Sequence, residues 1–232
     1  YQPQADTLSG RLCGAEALAR WHCGKYGDVS PGEFIPLMEQ SGLIVPFGQW
    51  ILSHGMAQCL EWRRSRPDFQ ISVNLSYIQL SQGDFISFLR TALEENSLDP
   101  SRLIMELTET YLAKAEEDTP RLIAQMKELG VKIAMDDFGV GYSSLFSLKS
   151  IPVDVVKIDR RFVKGITSEP FNATFIRSIT DLCHDVGRKV CLEGVETKEE
   201  YEAVRELGME YIQGYYFGRP MSARQFEDRL KE

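Results

Sequence analysis

Apolar and polar positions change their period along this chain, and the changes predict its secondary structure. From residue 70 onward, short β-branched apolar runs alternate with longer stretches whose apolar residues recur every three or four positions, which predicts successive βα units. Six units are predicted, with strands at 71–76, 103–109, 131–139, 153–159, 189–196 and 210–217 and helices at 84–96, 119–130, 143–150, 173–187, 198–208 and 222–230. Before them, the pattern predicts strands at 1–6 and 11–21 and helices at 32–45 and 47–65.

The order of these elements predicts an α/β fold of the TIM-type (β/α)8 barrel, in one domain over residues 1–232. No helix separates the first two strands, so we expect one early strand to be antiparallel. An open doubly wound sheet is the alternative, but the glycine-rich fingerprint that such a sheet normally shows after its first strand does not occur. The chain begins on strand-like sequence without a start methionine, and we therefore expect a domain excised from a longer multidomain protein.

Composition and charge narrow the function classes. Hydrophobic residues make up 43% and charged residues 26%, no run of about 20 residues is uniformly apolar, and no secretion leader is visible. We therefore expect a cytoplasmic protein, or the cytoplasmic domain of a membrane-anchored one, with no membrane contact from this segment. The net charge of −8 argues against a nucleic acid polymer as partner. The same acidity would repel a small phosphate ester unless bound divalent cations offset it.

Polar groups end many of the predicted strands. A parallel barrel collects its strand ends on one face, so we expect these groups to meet in one site, which favours an enzyme. The strand-end groups are Asn74, Glu106, Glu109, Asp136, Asp137, Lys157, Asp159, Glu193 and Glu196, and the early strand adds Glu16 and Arg20.

The oxygen donors among these groups predict a divalent-metal site without histidine. Carboxylate and amide oxygens suit Mg²⁺ or Mn²⁺ better than zinc. The expected donors are Glu16, Asn74, Glu106, Asp136, Asp137 and Glu193. Neighbouring strand residues face opposite sides, so both aspartates can serve one site only if the chain bends, which Gly139 and Gly141 permit.

Some of the strand-end residues have two interpretations. Lys157 would hold an attacking water or balance charge in the transition state, or it would form an internal salt bridge that only neutralises buried acids. Glu109 would bind a metal or hold the loop that follows the paired aspartates. For Asp159 and Glu196 we favour structural roles.

Nine motifs resemble those of the EAL-domain cyclic di-GMP phosphodiesterases. The resemblance covers nearly the whole chain and runs through YQP, EALAR, SPGEFIPL, VNLS, ELTE, DDFGVGYSSL, KIDRRFV, EGVET and QGYYFGRP. It implies a barrel that hydrolyses cyclic di-GMP to linear pGpG by attack of a metal-bridging water. It also implies a homodimer formed through the region of the loop that follows Asp136 and Asp137, which we call the Asp loop. An upstream sensor or cyclase domain is implied as well.

The resemblance also implies roles for single residues. Ligands of one ion would be Glu16, Asn74, Glu106 and Asp136, and ligands of a second ion would be Asp136, Asp137 and Glu193, with Asp136 bridging. The catalytic residues would be Lys157, Glu193, Asp137 and Glu109. Lys157 would contact the catalytic water, and Glu109 would steady the Asp loop. Arg20 would contact phosphate, Gln2 and Leu18 would line the substrate cleft, and Gln213 would lie near the metals.

Two further functions stay open at this point. Some members of the resembled family have lost metal ligands and serve as catalytically silent cyclic di-GMP receptors or scaffolds, but this sequence shows no such loss. A barrel phosphodiesterase for another diester, such as a glycerophosphodiester, would usually bring histidines into the site. No predicted strand ends in a histidine here.

Overall fold

The strands and helices are taken from a computed structural model that describes residues 1–113, 119–140, 148–149 and 151–231. The strands are β1 (Gln2–Asp6), β2 (Leu12–Ala17), β3 (Trp21–Cys23), β4 (Gly27–Val29), β5 (Gln70–Asn74), β6 (Leu103–Thr108), β7 (Lys132–Phe138), β8 (Val155–Ile158), β9 (Lys189–Leu192) and β10 (Tyr211–Gln213). The helices are α1 (Pro31–Ser41), α2 (Ile44–Arg63), α3 (Tyr77–Leu80), α4 (Phe85–Asn96), α5 (Glu109–Ala113), α6 (Thr119–Glu128), α7 (Pro170–Asp185), α8 (Lys198–Val204) and α9 (Ala223–Leu230). None of these described helices is long and apolar enough to cross a bilayer.

Eight strands close into a barrel in the order β1-β10-β9-β8-β7-β6-β5-β2. Strand β1 is antiparallel to both of its neighbours, and the other neighbouring pairs are parallel. The predicted barrel with one antiparallel early strand is therefore confirmed, and the open doubly wound alternative is wrong. Because β1 runs the opposite way, its start lies beside the ends of the other strands, with Gln2 paired to Glu16.

The barrel interior has an apolar layer beneath a polar one. The apolar layer consists of Ile104, Ala134, Val155 and Cys191. Successive strand residues face opposite sides, so the residues two positions further along also point inward, and these are Glu106, Asp136, Lys157 and Glu193. The outer faces of the same strands pack on the helices. There Met105, Ile133 and Val156 are fully buried.

The structure differs from the predicted elements mainly where an element is short. The predicted strand 11–21 divides, because β2 ends at Ala17 and β3 then pairs with β4 in a separate hairpin. Helix α1 ends at Ser41 because Gly42 adopts the left-handed conformation with φ 74°, and α2 begins at Ile44. The short helices α3 and α5 were not predicted. Of the predicted helix 143–150, only residues 148–149 belong to the described part.

Candidate active site

The ammonium group of Lys157 lies at the centre of the polar layer. Its Nζ is 2.7 Å from both Glu106 Oε2 and Glu193 Oε1, 3.3 Å from Asp136 Oδ1 and 3.4 Å from Glu16 Oε2. The side chain of Lys157 is 2% exposed. The barrel therefore brings four predicted metal ligands around one buried cation.

Glu16 is held on its other side by neutral donors. Asn74 Nδ2 donates to Glu16 Oε1 at 2.8 Å, and Gln213 Nε2 donates to Glu16 Oε2 at 2.6 Å. Gln4 Nε2 in turn donates to Gln213 Oε1 at 2.9 Å. Sequence reasoning missed Gln4, although it is two positions from Gln2 on β1 and so faces the same side. These amides fix the Glu16 carboxylate in one orientation.

The carboxylates of the cluster differ in their affinity for protons. Burial raises the pKa of Glu193 to about 7, against the opposing effect of the Lys157 charge. Burial and the Glu16 charge raise the pKa of Glu106 well above its usual value. Burial also acts on Glu16, but the charge of Lys157 and the amide donors outweigh it and lower the pKa of Glu16. Without further cations, the cluster does not hold all of its acids ionised at neutral pH.

The charge of Lys157 itself is secured by its neighbours. Burial alone lowers the pKa of a lysine. Here the carboxylates of Asp136, Glu106, Glu16 and Glu193 outweigh burial and raise the pKa of Lys157 well above its usual value.

The paired aspartates end β7 at a bend. Asp137 has φ 56°, and the register with β8 shifts between Met135 and Phe138. Burial and the Asp136 charge raise the pKa of Asp137, so the two carboxyl groups interact. The backbone N–H of Gly139, whose φ is 95°, donates to Glu109 Oε2 at 2.9 Å. The bend that the sequence required is therefore present, and Glu109 binds the turn that contains it.

A cavity of about 200 Å³ opens above the carboxylate cluster. Its walls include Gln2, Leu18 and Gln213, three of the residues predicted to bind substrate. Two further lining residues, Arg160 and Tyr215, carry side chains able to contact an anion or a planar ring. Sequence reasoning missed Arg160, which directly follows the strand-end Asp159, and it covered Tyr215 only as part of the stretch after Gln213.

Arg20, the fourth residue predicted to bind substrate, lines a neighbouring cavity of about 450 Å³. Leu18 borders both cavities, and Asn74 also lines the larger one. The guanidinium of Arg20 donates to the carbonyl of Ala19 at 2.8 Å and is otherwise exposed to solvent. A ligand extending from the cluster past Leu18 would therefore reach it.

Asp159 and Glu196 lie at the edge of the site. Asp159 Oδ1 accepts from the backbone N–H of Arg161 at 2.9 Å and pairs with the Arg161 guanidinium at 3.0 Å. The backbone N–H of Glu196 donates to Glu200 Oε2 at 2.7 Å, at the start of α8. Asp159 therefore caps a turn, while Glu196 remains exposed at the rim of the smaller cavity.

Known proteins resemble this chain over nearly its whole length. The model of the EAL domain family matches residues 1–220. This chain belongs to the EAL domain family. It is 38% identical over 226 residues to the bifunctional diguanylate cyclase/cyclic di-GMP phosphodiesterase MucR of Pseudomonas aeruginosa, and 35% identical over 227 residues to the cyclic di-GMP phosphodiesterase PdeR of Escherichia coli. The matches cover 97% and 98% of this EAL domain but only 33% and 34% of the relatives, so the chain spans about a third of their length.

Solved EAL structures share the architecture of this domain. A MucR phosphodiesterase in complex with c-di-GMP superposes with a TM-score of 0.90 at 38% identity, covering 97% of this chain and 92% of that one. The EAL enzyme Bd1971 in its cAMP and cyclic-di-GMP bound form gives a TM-score of 0.92 at 32% identity, covering 99% of this chain and 63% of that one. The family resemblance of the sequence is therefore confirmed.

The EAL domain offers suitable donors for divalent cations. All six predicted ligands supply oxygen, and Glu106 Oε1 is a buried carboxylate oxygen that no described residue donates to. Asp136 Oδ1 likewise accepts no hydrogen bond from the described residues and lies 3.3 Å from the Lys157 ammonium. Among the described residues, no three acidic, imidazole or thiol groups lie close enough together to bind one metal ion as they stand. The ammonium of Lys157 occupies the space between the carboxylates. The donor chemistry fits Mg²⁺ or Mn²⁺, provided that the carboxylates turn away from the ammonium.

Proposed function

We propose that this EAL domain hydrolyses cyclic di-GMP to linear pGpG in a reaction that depends on Mg²⁺ or Mn²⁺. The observation that carries the proposal is the gathering of four acids and an amide from five barrel strands around the buried Lys157. An oxygen-rich centre of this kind suits a phosphodiester only when cations offset its charge. The choice of cyclic di-GMP as substrate rests on the relatives MucR and PdeR, which are named as cyclic di-GMP phosphodiesterases.

Two cation positions are consistent with the donor set. Glu16, Asn74, Glu106 and Asp136 would hold one ion, and Asp136, Asp137 and Glu193 the other. Bound cations supply charge neutralisation for the diester and lower the pKa of water. One oxygen of the buried Glu106 carboxylate supports this assignment, because among the described residues it has no hydrogen-bond donor, and such an oxygen is costly to bury unless it meets a cation.

We assign to Lys157 the role of holding the attacking water. Its three N–H donors point among the carboxylates, two of which lie at 2.7 Å. With Glu106 and Glu193 engaged by cations, the N–H donors of Lys157 would be available to bind and orient a water molecule at Nζ. Glu109 is a positioning residue, since it acts through the Gly139 turn rather than on the substrate.

The substrate would lie along the two cavities at the barrel mouth. Gln2, Leu18 and Gln213 line the smaller cavity above the acids, and Arg20 lies at the larger one. We assign the phosphate contact to Arg20 because a guanidinium binds phosphate oxygens in a bidentate manner. Arg160 supplies a second guanidinium at the smaller cavity.

The proposed setting is a larger cytoplasmic signalling protein with an upstream sensor or cyclase domain. The curated relatives are about three times as long as this chain, which supports further domains. A homodimer through the Asp loop is also proposed. Residues 141–147 of that loop lie outside the described part of the chain.

Product analysis tests the activity directly. Purified protein is incubated with cyclic di-GMP in Mg²⁺, in Mn²⁺ and in EDTA, and the nucleotides are separated by chromatography. We expect pGpG only with the cations, and a loss of at least about 100-fold in Glu16→Gln, which removes a ligand charge while keeping the side-chain volume. Glu128→Gln, on an exposed face of α6, is the matched control and should retain full activity. Binding of intact cyclic di-GMP without cleavage in either cation would instead identify a receptor and refute the proposal.

A further inference from the structure

A third cavity, separate from the two at the barrel mouth, lies on the outer face of the barrel. It has a volume of about 680 Å³ and lies between the β1–β2 turn, the segment after α2, helix α8, the segment after β10 and helix α9. None of its lining residues borders the smaller cavity above Lys157. Its volume falls in the usual range of small-molecule sites, about 300–1,000 Å³. We call this cavity the outer groove.

Three arginines from separate parts of the chain line the outer groove: Arg11, Arg66 and Arg229. Its described lining includes no aspartate or glutamate. Arg66 Nη2 donates to the carbonyl of Leu230 at 3.1 Å, which uses one of the five N–H donors of the guanidinium and fixes its plane. In a chain with a net charge of −8, this concentration of cations selects an anionic ligand.

The outer groove also presents an aromatic surface. Tyr216 stacks on Tyr201 with ring centroids 5.4 Å apart and planes inclined by 24°, and Tyr216 is 38% exposed. The hydroxyl of Tyr201 donates to the carbonyl of Thr7 at 2.8 Å, which fixes the inner ring of the stack. A supported and partly exposed ring is a platform on which a planar base can stack.

We propose that the outer groove binds a nucleoside phosphate, with its phosphates on Arg11 and Arg66 and its base against Tyr216. Guanidinium groups suit phosphate oxygens because their fork geometry matches two oxygens at once. Inorganic phosphates and simple lipid headgroups supply the charge but lack the ring. The site is independent of the barrel mouth and does not rest on the proposed hydrolysis of cyclic di-GMP.

Calorimetric titration of the whole protein with ADP and with inorganic pyrophosphate, in EDTA, tests the proposal. Arg11→Gln should weaken ADP binding by about tenfold or more, because a charge-assisted contact is lost. Arg11 is exposed and makes no ion pair among the described residues, so the substitution leaves the fold intact. Tyr216→Leu should weaken ADP binding and leave pyrophosphate binding unchanged.

Two arginine substitutions elsewhere serve as matched controls. Arg90→Gln lies on the exposed face of α4, and Arg20→Gln lies at the cavity beside the barrel mouth. Both should bind ADP as the unmodified protein does. The proposal is overturned if ADP gives no binding at millimolar concentration, if pyrophosphate binds as tightly as ADP, if Arg90→Gln weakens binding as much as Arg11→Gln, or if only Arg20→Gln weakens it.

Discussion

Replacing Lys157 by methionine tests the electrostatic design of the barrel centre. The substitution keeps an unbranched side chain of similar length in a position that is 2% exposed, so packing changes little while the ammonium is lost. Four carboxyl groups then face one another without the cation that now lies 2.7–3.4 Å from them. We expect Lys157→Met to fold less stably in EDTA and to recover stability when divalent cations are added.

The magnitude follows from the burial of the cluster. Removing one partner of a buried ion pair costs about 3–5 kcal/mol in unfolding free energy, since the remaining charge stays buried. Acids whose pKa is already raised, such as Glu193, take up a proton in the variant and so remove part of the uncompensated charge. The loss of unfolding free energy therefore stays within that range. For a domain of this size, it corresponds to a decrease in melting temperature of about 6–20 °C. A cation at about 100 times its dissociation constant then restores about 2.7 kcal/mol.

Urea denaturation in EDTA and in Mn²⁺, followed by circular dichroism, measures both effects. The matched control is Lys198→Met, which removes an exposed pair with Glu202 at 3.5 Å and should cost about 1 kcal/mol or less. A Lys157→Met protein within 1 kcal/mol of the unmodified one in EDTA would refute the charge argument. A variant that Mn²⁺ does not stabilise would show that the acids do not form a cation site, whatever its activity.

Two further substitutions test the backbone around the site. Glu109→Ala removes the acceptor of the Gly139 N–H and should lower the unfolding free energy by about 1–3 kcal/mol. Glu109→Gln keeps an acceptor and should lower the unfolding free energy by less. Equal losses in denaturation experiments would contradict this reasoning. Gly194→Ala should cost about 2–5 kcal/mol, because φ is 81° and a Cβ there would overlap the side chain of Arg160. Gly187→Ala is its control, with φ 72° and no atom near the new Cβ, and should cost about 1–2 kcal/mol; a Gly194→Ala protein as stable as this control would disprove the overlap.

Elements that belong to the βα alternation could be predicted from the sequence, and short elements outside that alternation could not. The βα alternation predicts the barrel, and the missing helix between β1 and β2 predicts the antiparallel strand. The hairpin of β3 and β4 escaped prediction because strands of three residues show no alternation of their own. Helix α3 has four residues, about one turn, so it carries no periodic apolar face.

The composition of the site could be predicted further than its contacts. Strand-end donors such as Glu106 and Glu193 meet because parallel strands share an end. Their pairing with the Lys157 ammonium at 2.7 Å depends on rotamers and burial, which no spacing in the sequence fixes. Gln4 was missed because its contact with Gln213 depends on the register between the first and last strands of the barrel.

That same register has a consequence for how the chain folds. The side chains of Gln4 and Gln213 meet across a sequence separation of 209 residues. Contacts between residues so far apart in sequence form slowly, because the chain loses conformational entropy on closing the loop before favourable contacts compensate for that loss. During synthesis, β1 and β2 can pair early as a local hairpin, but β1 keeps an open edge until β10 has emerged. The contacts of Gln213 with Gln4 and Glu16 would therefore form at the end of folding, and the nascent protein exposes a strand edge to aggregation until then.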